Sequence, residues 1–230
     1  MLVKNSFIRS WEAIFDGWSF HALSRIKEQL DSCKIIYCTR HKACYLIPEE
    51  LSGLPCKAVF KVYREKRFFR YFLRPSLAYR EFLGFRRTAD AGIPVAEVLA
   101  LGEKRRGFRL QEAFFVTRYL ENFRDGNELI PSGADETLRD EFIRQNLALL
   151  AKLHNAGLVH GCFHPRNELF RLDENGRMEV VWLDLASVIP AGKSRKFTVS
   201  DDLDRFLREF MLSPEKTAEY TGFYSSLRSK

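Results

Sequence analysis

The chain has 230 residues, of which 46% are hydrophobic and 29% are charged, and its formal net charge is +7 at pH 7. This composition is ordinary for a globular protein of one domain or two small lobes, and it is too polar for a bundle of membrane-spanning helices. No apolar run is long enough to cross a bilayer, and the N-terminus lacks the unbroken apolar core of a signal peptide. We therefore expect a cytoplasmic protein.

The five cysteines indicate reduced thiols. Their number is odd, no Cys-x-x-Cys pair occurs, and no histidine cluster stands at metal-ligand spacing. We expect Cys38 and Cys44 to point into or across a strand pair, where cysteine packs as a small hydrophobe.

The positive charge is concentrated between residues 57 and 87. Ten lysines and arginines stand there against two acids and are interleaved with nine phenylalanines and tyrosines. Such a surface suits a phosphate-rich partner, namely an anionic membrane face at which the protein is peripheral, a phosphorylated glycolipid or a nucleic acid. No recognition motif accompanies the charge, which argues against nucleic acid. The alternative is a solvated helix face.

The first half of the chain predicts mainly strands. Three strands are expected at 34–39, 43–47 and 57–64, which form an antiparallel meander. A helix then begins at Pro75-Ser76 and ends at Gly92 with Pro94. Two more strands, "VAEVLALGE" and "EAFFVTRYL", are separated by the polar turn "KRRG".

The second half predicts mainly helices. A long amphipathic helix runs from Asp135 to Gly157, and a hairpin follows with Asn175-Gly176 at its turn. A last helix begins near Ser200. Its apolar residues recur at i, i+3, i+4 and i+7: Leu203, Phe206, Leu207 and Phe210.

This order of elements predicts an α+β fold with two lobes. Residues 1–121 would form an N-terminal lobe with an antiparallel sheet and one helix that carries a glutamate. Residues 122–230 would form a compact, mostly helical C-terminal lobe, and the polar stretch at 121–133 would act as a hinge.

Four residues fall in the order that a protein-kinase-like fold uses. Lys61 lies on the strand "AVFKVYR" and can reach nucleotide phosphates, and Glu81 lies in the next helix, where a carboxylate would orient that lysine. Asn167 and Asp184, the latter at the end of "VVWLD", offer oxygen ligands for magnesium. Alone, each is weak evidence, since a strand lysine is usually solvated and such an aspartate is often a helix cap. Their joint order predicts a kinase fold.

The stretch "HGCFHPRNELF", residues 160 to 170, has the outline of a phosphotransferase catalytic loop. "HGCFHPRN" is similar to the His-Gly-Asp-x-His-Pro-x-Asn loop of small-molecule kinases of the aminoglycoside and choline type. Cys162 therefore stands at the catalytic position where the reacting carboxylate is expected.

From residue 33 to 210 the chain resembles the bacterial lipopolysaccharide kinase family, which includes Kdo and heptose kinases and the acid-inducible InaA-like proteins. "RPSLAYREFLGFRRTADAGIPVAEVLALGE" carries that family's Arg-Glu helix and its Gly-Ile-Pro strand entry. "HGCFHPRNELF", "WLDLASV" and "SDDLDRFLREF" look most like the InaA branch, in which His-Gly-Cys is found.

The resemblance implies a two-lobed kinase fold that binds ATP and Mg²⁺. Lys61 would pair with the ATP phosphates and Glu81 would hold Lys61. Asn167 and Asp184 would be metal ligands, and Asp202 would brace the catalytic loop from the last helix.

The two loop histidines have different implied roles. His160 matches the loop's structural histidine, for which packing and hydrogen bonding are favoured over proton transfer. His164 would reach a phosphate or make a simple loop contact.

Two features depart from an active kinase. The segment "CTRHKACY" contains no glycine, so no Gly-rich loop can fold closely over the phosphates. The Cys162 thiol is a poor hydrogen-bond acceptor and replaces an aspartate badly as a base.

Two functions remain open. The first is an ATP-dependent phosphotransferase at the inner membrane face that acts on a lipopolysaccharide core sugar. The second is a pseudokinase that serves as a binding or regulatory module in envelope or acid stress. The sequence assigns neither the acceptor nor the oligomeric state.

Overall fold

The computed structural model describes residues 11–14, 28–40, 42–52, 56–63, 74–106, 109–131, 133–194 and 196–228. These residues belong to two compact units. The first unit comprises 1–82 and 96–120, and the second comprises 83–95 and 121–230. Residues 83–95 thus belong with the second unit, and the lobe boundary after residue 121 stays a prediction.

The first unit is built on a six-stranded antiparallel sheet with the order β1-β5-β6-β4-β3-β2. Its strands are β1 (Trp11–Ile14), β2 (Lys34–Cys38), β3 (Lys42–Ile47), β4 (Ala58–Tyr63), β5 (Val98–Arg106) and β6 (Arg109–Arg118). A short helix, α1 (Glu49–Ser52), follows β3. The sheet's apolar core includes Tyr45, Ile47, Phe60 and Val116, each at most 6% exposed. The predicted meander is therefore present, and β2, β3 and β4 begin and end within one residue of the predicted bounds.

The helix α2 (Leu77–Asp90) follows the predicted start at Pro75-Ser76. Its first turn is fixed by two hydrogen bonds: the backbone N–H of Tyr79 donates to Ser76 Oγ at 3.0 Å, and the N–H of Ser76 donates to Glu103 Oε1 at 2.9 Å. Because Ser76 is fully buried, this arrangement ties the start of the helix to strand β5.

The second unit is mostly helical, with α3 (Glu136–Asn155), α4 (Val199–Glu209) and α5 (Pro214–Ser226). Its short strands are β7 (Arg124–Asp125), β8 (Leu158–Val159), β9 (Glu168–Leu172), β10 (Met178–Trp182) and β11 (Ile189–Pro190). They form a three-stranded sheet, β10-β9-β7, and a two-stranded one, β11-β8. The β9–β10 hairpin is the predicted one, and Gly176 at its turn has φ +75°.

An aromatic cluster fills the interior of the second unit. Phe206 contacts Phe163 with ring centroids 4.6 Å apart, and it also contacts Phe142 and Phe210. The predicted apolar face of α4 supplies two of these rings, and all four of its residues are buried. Side-chain packing therefore joins α3, α4 and the loop that carries Phe163.

Two expectations differ from the structure, and one helix was not predicted. Residues 104–106 of the predicted "KRRG" turn continue strand β5, because its ladder with β6 extends to the Arg106–Arg109 pair. Cys44 is buried as expected, but Cys38 lies exposed on the edge strand β2. Helix α5 was not predicted, although Ser213 accepts a cap hydrogen bond there and Pro214 stands at its first position. Among the described helices, none is long and apolar enough to cross a membrane.

Candidate active site

In the first unit, Lys61 and Glu81 form a buried ion pair. Lys61 Nζ donates to Glu81 Oε1 at 2.5 Å, and the two residues are 7% and 0% exposed. The hydroxyl of Tyr63 donates to the other carboxylate oxygen, Oε2. Glu81 is thus held on both oxygens by residues of strand β4. The structure brings together the two residues that the sequence singled out, and it adds Tyr63.

A buried carboxylate in this position fixes the direction of the lysine ammonium. Burial makes an unpaired ammonium costly, and the adjacent Glu81 carboxylate offsets that cost for Lys61. Strand β4 is paired on both sides, with Lys61 opposite Cys44 of β3 and opposite Phe115 of β6, so its backbone is well supported. The result is a preorganised cation of the kind that binds nucleotide phosphates.

In the second unit, Asp202 of helix α4 holds the backbone of the loop that begins at His160. Its Oδ2 atom accepts from the backbone N–H of His160 at 2.6 Å, and its Oδ1 atom accepts from that of Gly161 at 2.7 Å. Nε2 of His154 lies 3.2 Å from Oδ2, and Nδ1 of His154 is 2.6 Å from the hydroxyl of Tyr224. Asp202 is only 1% exposed, so these contacts satisfy a carboxylate that water does not reach.

The ring of His160 lies in the interior of the second unit. It is 0% exposed, and it packs against Phe163 and edge-on against Trp182. Burial lowers the pKa of His160 to about 4, although Asp202 and Asp184 oppose the shift. The imidazole is therefore neutral at pH 7, and its Nδ1 atom accepts from the backbone N–H of Cys162 at 3.3 Å. A ring so enclosed cannot touch a substrate.

Cys162 lies half-buried in the same loop. Burial raises the pKa of its thiol, and the carboxylate of Asp184 adds to this effect, while Arg166 and Arg205 partly offset it. The thiol therefore stays protonated at neutral pH. A protonated thiol cannot accept a proton from a substrate hydroxyl, which is the task of the carboxylate expected at this position.

Asn167 and Asp184 are joined through the backbone. The N–H of Leu183 donates to the carbonyl of Asn167 at 2.7 Å, and Asn167 Nδ2 donates to the carbonyl of Cys162 at 3.4 Å. The Asn167 amide nitrogen is thereby turned to the protein, and its amide oxygen is the atom left for a ligand. Asp184 has φ +56°, a left-handed conformation that is rare for a non-glycine residue and is enriched at functional sites.

Helix α2 packs directly on the segment after Asp184. A Cβ atom on Gly84 would lie 1.8 Å from the carbonyl oxygen of Leu185, so only glycine permits this approach. Arg87 donates to the carbonyl of Val188 at 3.0 Å. These two contacts hold the backbone that places the Asp184 carboxylate.

The oxygen atoms of Asn167 and Asp184 are the hard ligands that Mg²⁺ prefers. No group of three His, Cys, Asp or Glu side chains suited to a metal ion occurs within the described ranges. Magnesium bound to a nucleotide typically takes one or two protein ligands and completes its shell with phosphate and water.

His164, the second loop histidine that the sequence singled out, contacts a carboxylate of helix α4. Its Nδ1 atom lies 2.8 Å from Oε1 of Glu209, at the end of helix α4. Glu209 was not foreseen, since its contact with His164 spans 45 residues and has no local sequence signal.

Glu168 is a carboxylate close to the catalytic loop in the sequence, and the sequence did not indicate that it is enclosed. It directly follows Asn167, it is 0% exposed, and neither of its carboxylate oxygens has a hydrogen-bond partner among the described residues. Burial and the neighbouring Asp125 raise its pKa well above the ordinary value. Its depth excludes it as a replacement for the missing carboxylate at position 162.

The basic and aromatic stretch at 57–87 divides into two parts. Residues 64–73, which include Arg64, Lys66, Arg67 and Arg70, lie outside the described residues. Within the described part, four members are buried: Phe60, Lys61, Tyr63 and Phe85. These four residues belong to the interior of the protein. Fewer basic and aromatic side chains of this stretch can therefore contact a membrane than its composition suggests.

The connection between β2 and β3 is short. Strand β2 ends at Cys38 and strand β3 begins at Lys42, and the backbone N–H of Thr39 donates to the carbonyl of Lys42 at 2.8 Å. The sequence between the two strands contains no glycine, so it does not supply a Gly-rich loop over phosphates.

The chain is similar to known proteins in sequence and in fold. The model of the lipopolysaccharide kinase (Kdo/WaaP) family matches residues 57–226. Among solved structures, the chain is similar to WaaP in complex with acyl carrier protein, at 15% identity and a TM-score of 0.57, over 94% of this chain and 95% of that one. It is also similar to the PknI kinase domain of Mycobacterium tuberculosis, at 15% identity and a TM-score of 0.47, over 74% and 67%. No curated protein matches the sequence. The WaaP match confirms the predicted α+β, protein-kinase-like fold.

Proposed function

Because the chain belongs to the lipopolysaccharide kinase (Kdo/WaaP) family, we propose that it is an ATP-dependent phosphotransferase that acts on a hydroxyl of a lipopolysaccharide core sugar, Kdo or heptose. The observation that supports this most is the buried pair of Lys61 and Glu81. Burying an ammonium group costs free energy, so such a group often has a function. In a kinase fold, the function of a lysine on this strand is to bind nucleotide phosphates.

The residues divide the work as follows. Lys61 binds nucleotide phosphates, and Glu81 with Tyr63 fixes its direction. Asn167 and Asp184 hold magnesium through their side-chain oxygens. When bound, Mg·ATP supplies the phosphoryl group and the ion neutralises the charge that develops on its oxygens.

Asp202 and His160 act through the catalytic loop. Asp202 holds two successive backbone N–H groups of the loop, and His160 fills the interior beneath it and accepts from the N–H of Cys162. Together they set the positions of Cys162 and Asn167. Neither residue exchanges a proton with substrate in this proposal.

Cys162 limits the rate. During transfer, the acceptor oxygen bonds to the terminal phosphorus of ATP while the bond from that phosphorus to ADP breaks. The proton of the acceptor hydroxyl must leave, and because a protonated thiol cannot take it, it passes to solvent. A general base contributes about 10²–10⁴-fold, while positioning and metal electrostatics supply the rest of the catalysis. We therefore expect slow transfer.

A pseudokinase is the second candidate, and Cys162 is the observation that favours it. In that case the same residues bind nucleotide, and the chain serves as a binding or regulatory module in envelope or acid stress. The His-Gly-Cys loop also favours the acid-inducible InaA-like branch of the family. Under both candidates we propose a cytoplasmic protein at the inner membrane face, where arginines of the stretch 57–87 would contact anionic lipid.

Calorimetric titration of ATP with and without magnesium tests the nucleotide site. Asp184→Ala should abolish magnesium-dependent binding, and Lys61→Ala should weaken ATP binding, because each removes a direct contact. Glu174→Ala is the control, since this exposed hairpin carboxylate should leave the affinity unchanged. Unchanged affinity in both Asp184→Ala and Lys61→Ala would refute the proposed site.

A further inference from the structure

Exposed apolar residues are concentrated on one edge of the sheet in the first unit. Strand β2 is an outermost strand, and its residues Ile35, Ile36 and Tyr37 are 55%, 47% and 51% exposed. They make up half of the six large hydrophobic side chains that are exposed within the described part of the chain. Such clustering indicates an interaction surface, because exposed apolar residues are normally scattered singly. We call β2, β3 and the turn between them the β2–β3 hairpin.

Cationic side chains flank this apolar stretch. Lys34 precedes it on β2 and Arg40 follows it in the turn, and both are exposed. Nζ of Lys42 lies 5.5 Å from the ring centroid of Tyr37. No Asp or Glu occurs from residue 32 to residue 48, so every side chain of the hairpin that is ionised at pH 7 is positive. The nearest acids in the sequence stand at the end of the hairpin opposite the turn: Asp31, Glu49 and Glu50.

A second copy of the chain does not match this edge. Strand addition needs a regular row of free backbone N–H and C=O groups along the edge strand. The pairing of β2 with β3 shifts between Ile35 and Tyr37, so Ile36 stands at an irregularity in the middle of a strand of five residues. Such a bulge interrupts the ladder and twists the edge away from a partner strand. Two copies would also bring two positive hairpins together, which is unfavourable.

A lipid surface needs no regular ladder, and it matches the side chains that the hairpin exposes. Tyrosine and aliphatic residues bind at the interface of a bilayer, and lysine and arginine beside them contact anionic headgroups. At that depth the unpaired backbone groups of an edge strand bond to water and headgroups, which the hydrocarbon core would not allow.

We infer that the β2–β3 hairpin docks on an anionic phospholipid bilayer. Ile35, Ile36 and Tyr37 enter the interface, and Lys34 and Arg40 contact lipid phosphates. The inference rests on the membrane location in the proposed function and deepens it, because it assigns a docking surface outside the stretch 57–87. It requires neither nucleotide binding nor phosphoryl transfer.

Sedimentation with lipid vesicles tests the charges of the hairpin. Wild type should bind vesicles of phosphatidylglycerol and phosphatidylcholine, should be released as salt is added, and should bind pure phosphatidylcholine weakly. Lys34→Gln combined with Arg40→Gln should lower binding to the anionic vesicles by about 10- to 30-fold. The matched control is Arg177→Gln combined with Lys193→Gln, which removes the same charge from exposed positions of the second unit and should change binding less than about 2-fold. Equal effects of the two double variants would overturn the inference.

The same assay tests the apolar residues. Ile35→Ser combined with Ile36→Ser should lower binding to the anionic vesicles by about 10-fold or more, because less apolar area leaves water on docking. Leu172→Ser is the control, since this side chain is 48% exposed on the second unit, and it should leave vesicle binding unchanged. Unchanged binding of the isoleucine double variant would contradict the proposed docking surface.

Three further outcomes separate this inference from its alternatives. If vesicle binding is lost only in Arg67→Gln combined with Arg70→Gln, the membrane location stands and the hairpin is not the docking surface. If wild type sediments as a dimer without lipid and Ile35→Ser combined with Ile36→Ser makes it a monomer, the edge belongs to a second copy and the inference is wrong. If wild type binds no anionic vesicle, the inference and the membrane location both fail, and Mg·ATP titration shows whether the nucleotide site stands.

Discussion

Asp202→Ala should cause a large loss of stability, because one buried carboxylate satisfies two backbone donors of the catalytic loop. The N–H groups of His160 and Gly161 lie 2.6 and 2.7 Å from its oxygens, and alanine leaves both without an acceptor. Each orphaned buried donor costs about 1–3 kcal/mol. The expected loss is therefore about 2–6 kcal/mol, a large share of the roughly 5–15 kcal/mol that stabilises a typical domain.

Urea unfolding followed by far-UV circular dichroism measures this loss. Asp204→Ala is the matched control, because this exposed carboxylate lies two residues further along the same helix, and we expect a change within about 0.5 kcal/mol. Asp202→Asn should fall between the two, since its amide oxygen can still accept from one of the donors. A cost below about 1 kcal/mol for Asp202→Ala would refute the idea that Asp202 holds the loop.

Three further predictions concern separate contacts. Tyr63→Phe removes the hydroxyl that donates to Oε2 of the buried Glu81 carboxylate. It should therefore lower the free energy of unfolding by about 1–3 kcal/mol and weaken ATP binding in calorimetry. Unchanged values would contradict this role of Tyr63. Gly84→Ala should lower the free energy of unfolding in urea by about 1–3 kcal/mol, because its Cβ atom would overlap the Leu185 carbonyl. The control is Gly222→Ala in α5, where nothing lies within 4 Å of the added Cβ atom, and it should be neutral or stabilising. The pKa of His160 falls from 6.5 to about 4 on folding, so the unfolded chain binds more protons between these two pH values. The free energy of unfolding therefore decreases as the pH falls from 6.5 to about 4, by about 3 kcal/mol in all. His160→Asn should flatten this part of the pH profile, and an unchanged slope would contradict a buried neutral imidazole.

The sequence predicted those parts of the fold that local chemistry determines. The buried face at helix α4 consists of Leu203, Phe206, Leu207 and Phe210. Residues at this spacing lie on one side of the chain only when the chain is helical. The hairpin turn with Gly176 needs a positive φ, which glycine adopts without strain. Helix α5 was missed although Ser213 and Pro214 mark its start, because only two of its residues, Tyr220 and Tyr224, are buried and no strong apolar period results.

The candidate site was less predictable, because its contacts join residues far apart in the chain. Lys61 and Glu81 are 20 residues apart, and their order along the chain indicated them only together with Asn167 and Asp184. Gly161 and Asp202 are 41 residues apart, and only the family resemblance pointed to Asp202. The hydroxyl of Tyr63 and the enclosure of Glu168 depend on which neighbours surround each side chain, and a sequence pattern does not encode that. Burial likewise keeps the thiol of Cys162 protonated. The sequence showed only that a cysteine stands where the family loop has an aspartate.

Transfer of labelled phosphate from ATP to lipopolysaccharide core oligosaccharide, compared between wild type, Cys162→Asp and Cys162→Ala, tests the central claim most directly. We predict slow transfer by wild type and a rate near 10²-fold higher for Cys162→Asp, because a carboxylate restores the proton acceptor at the low end of a general base's contribution. Cys162→Ala should match wild type in both rate and Mg·ATP affinity, since the protonated thiol takes no part. Failure of both wild type and Cys162→Asp to transfer phosphate, while both bind Mg·ATP, would contradict the phosphotransferase and leave the pseudokinase.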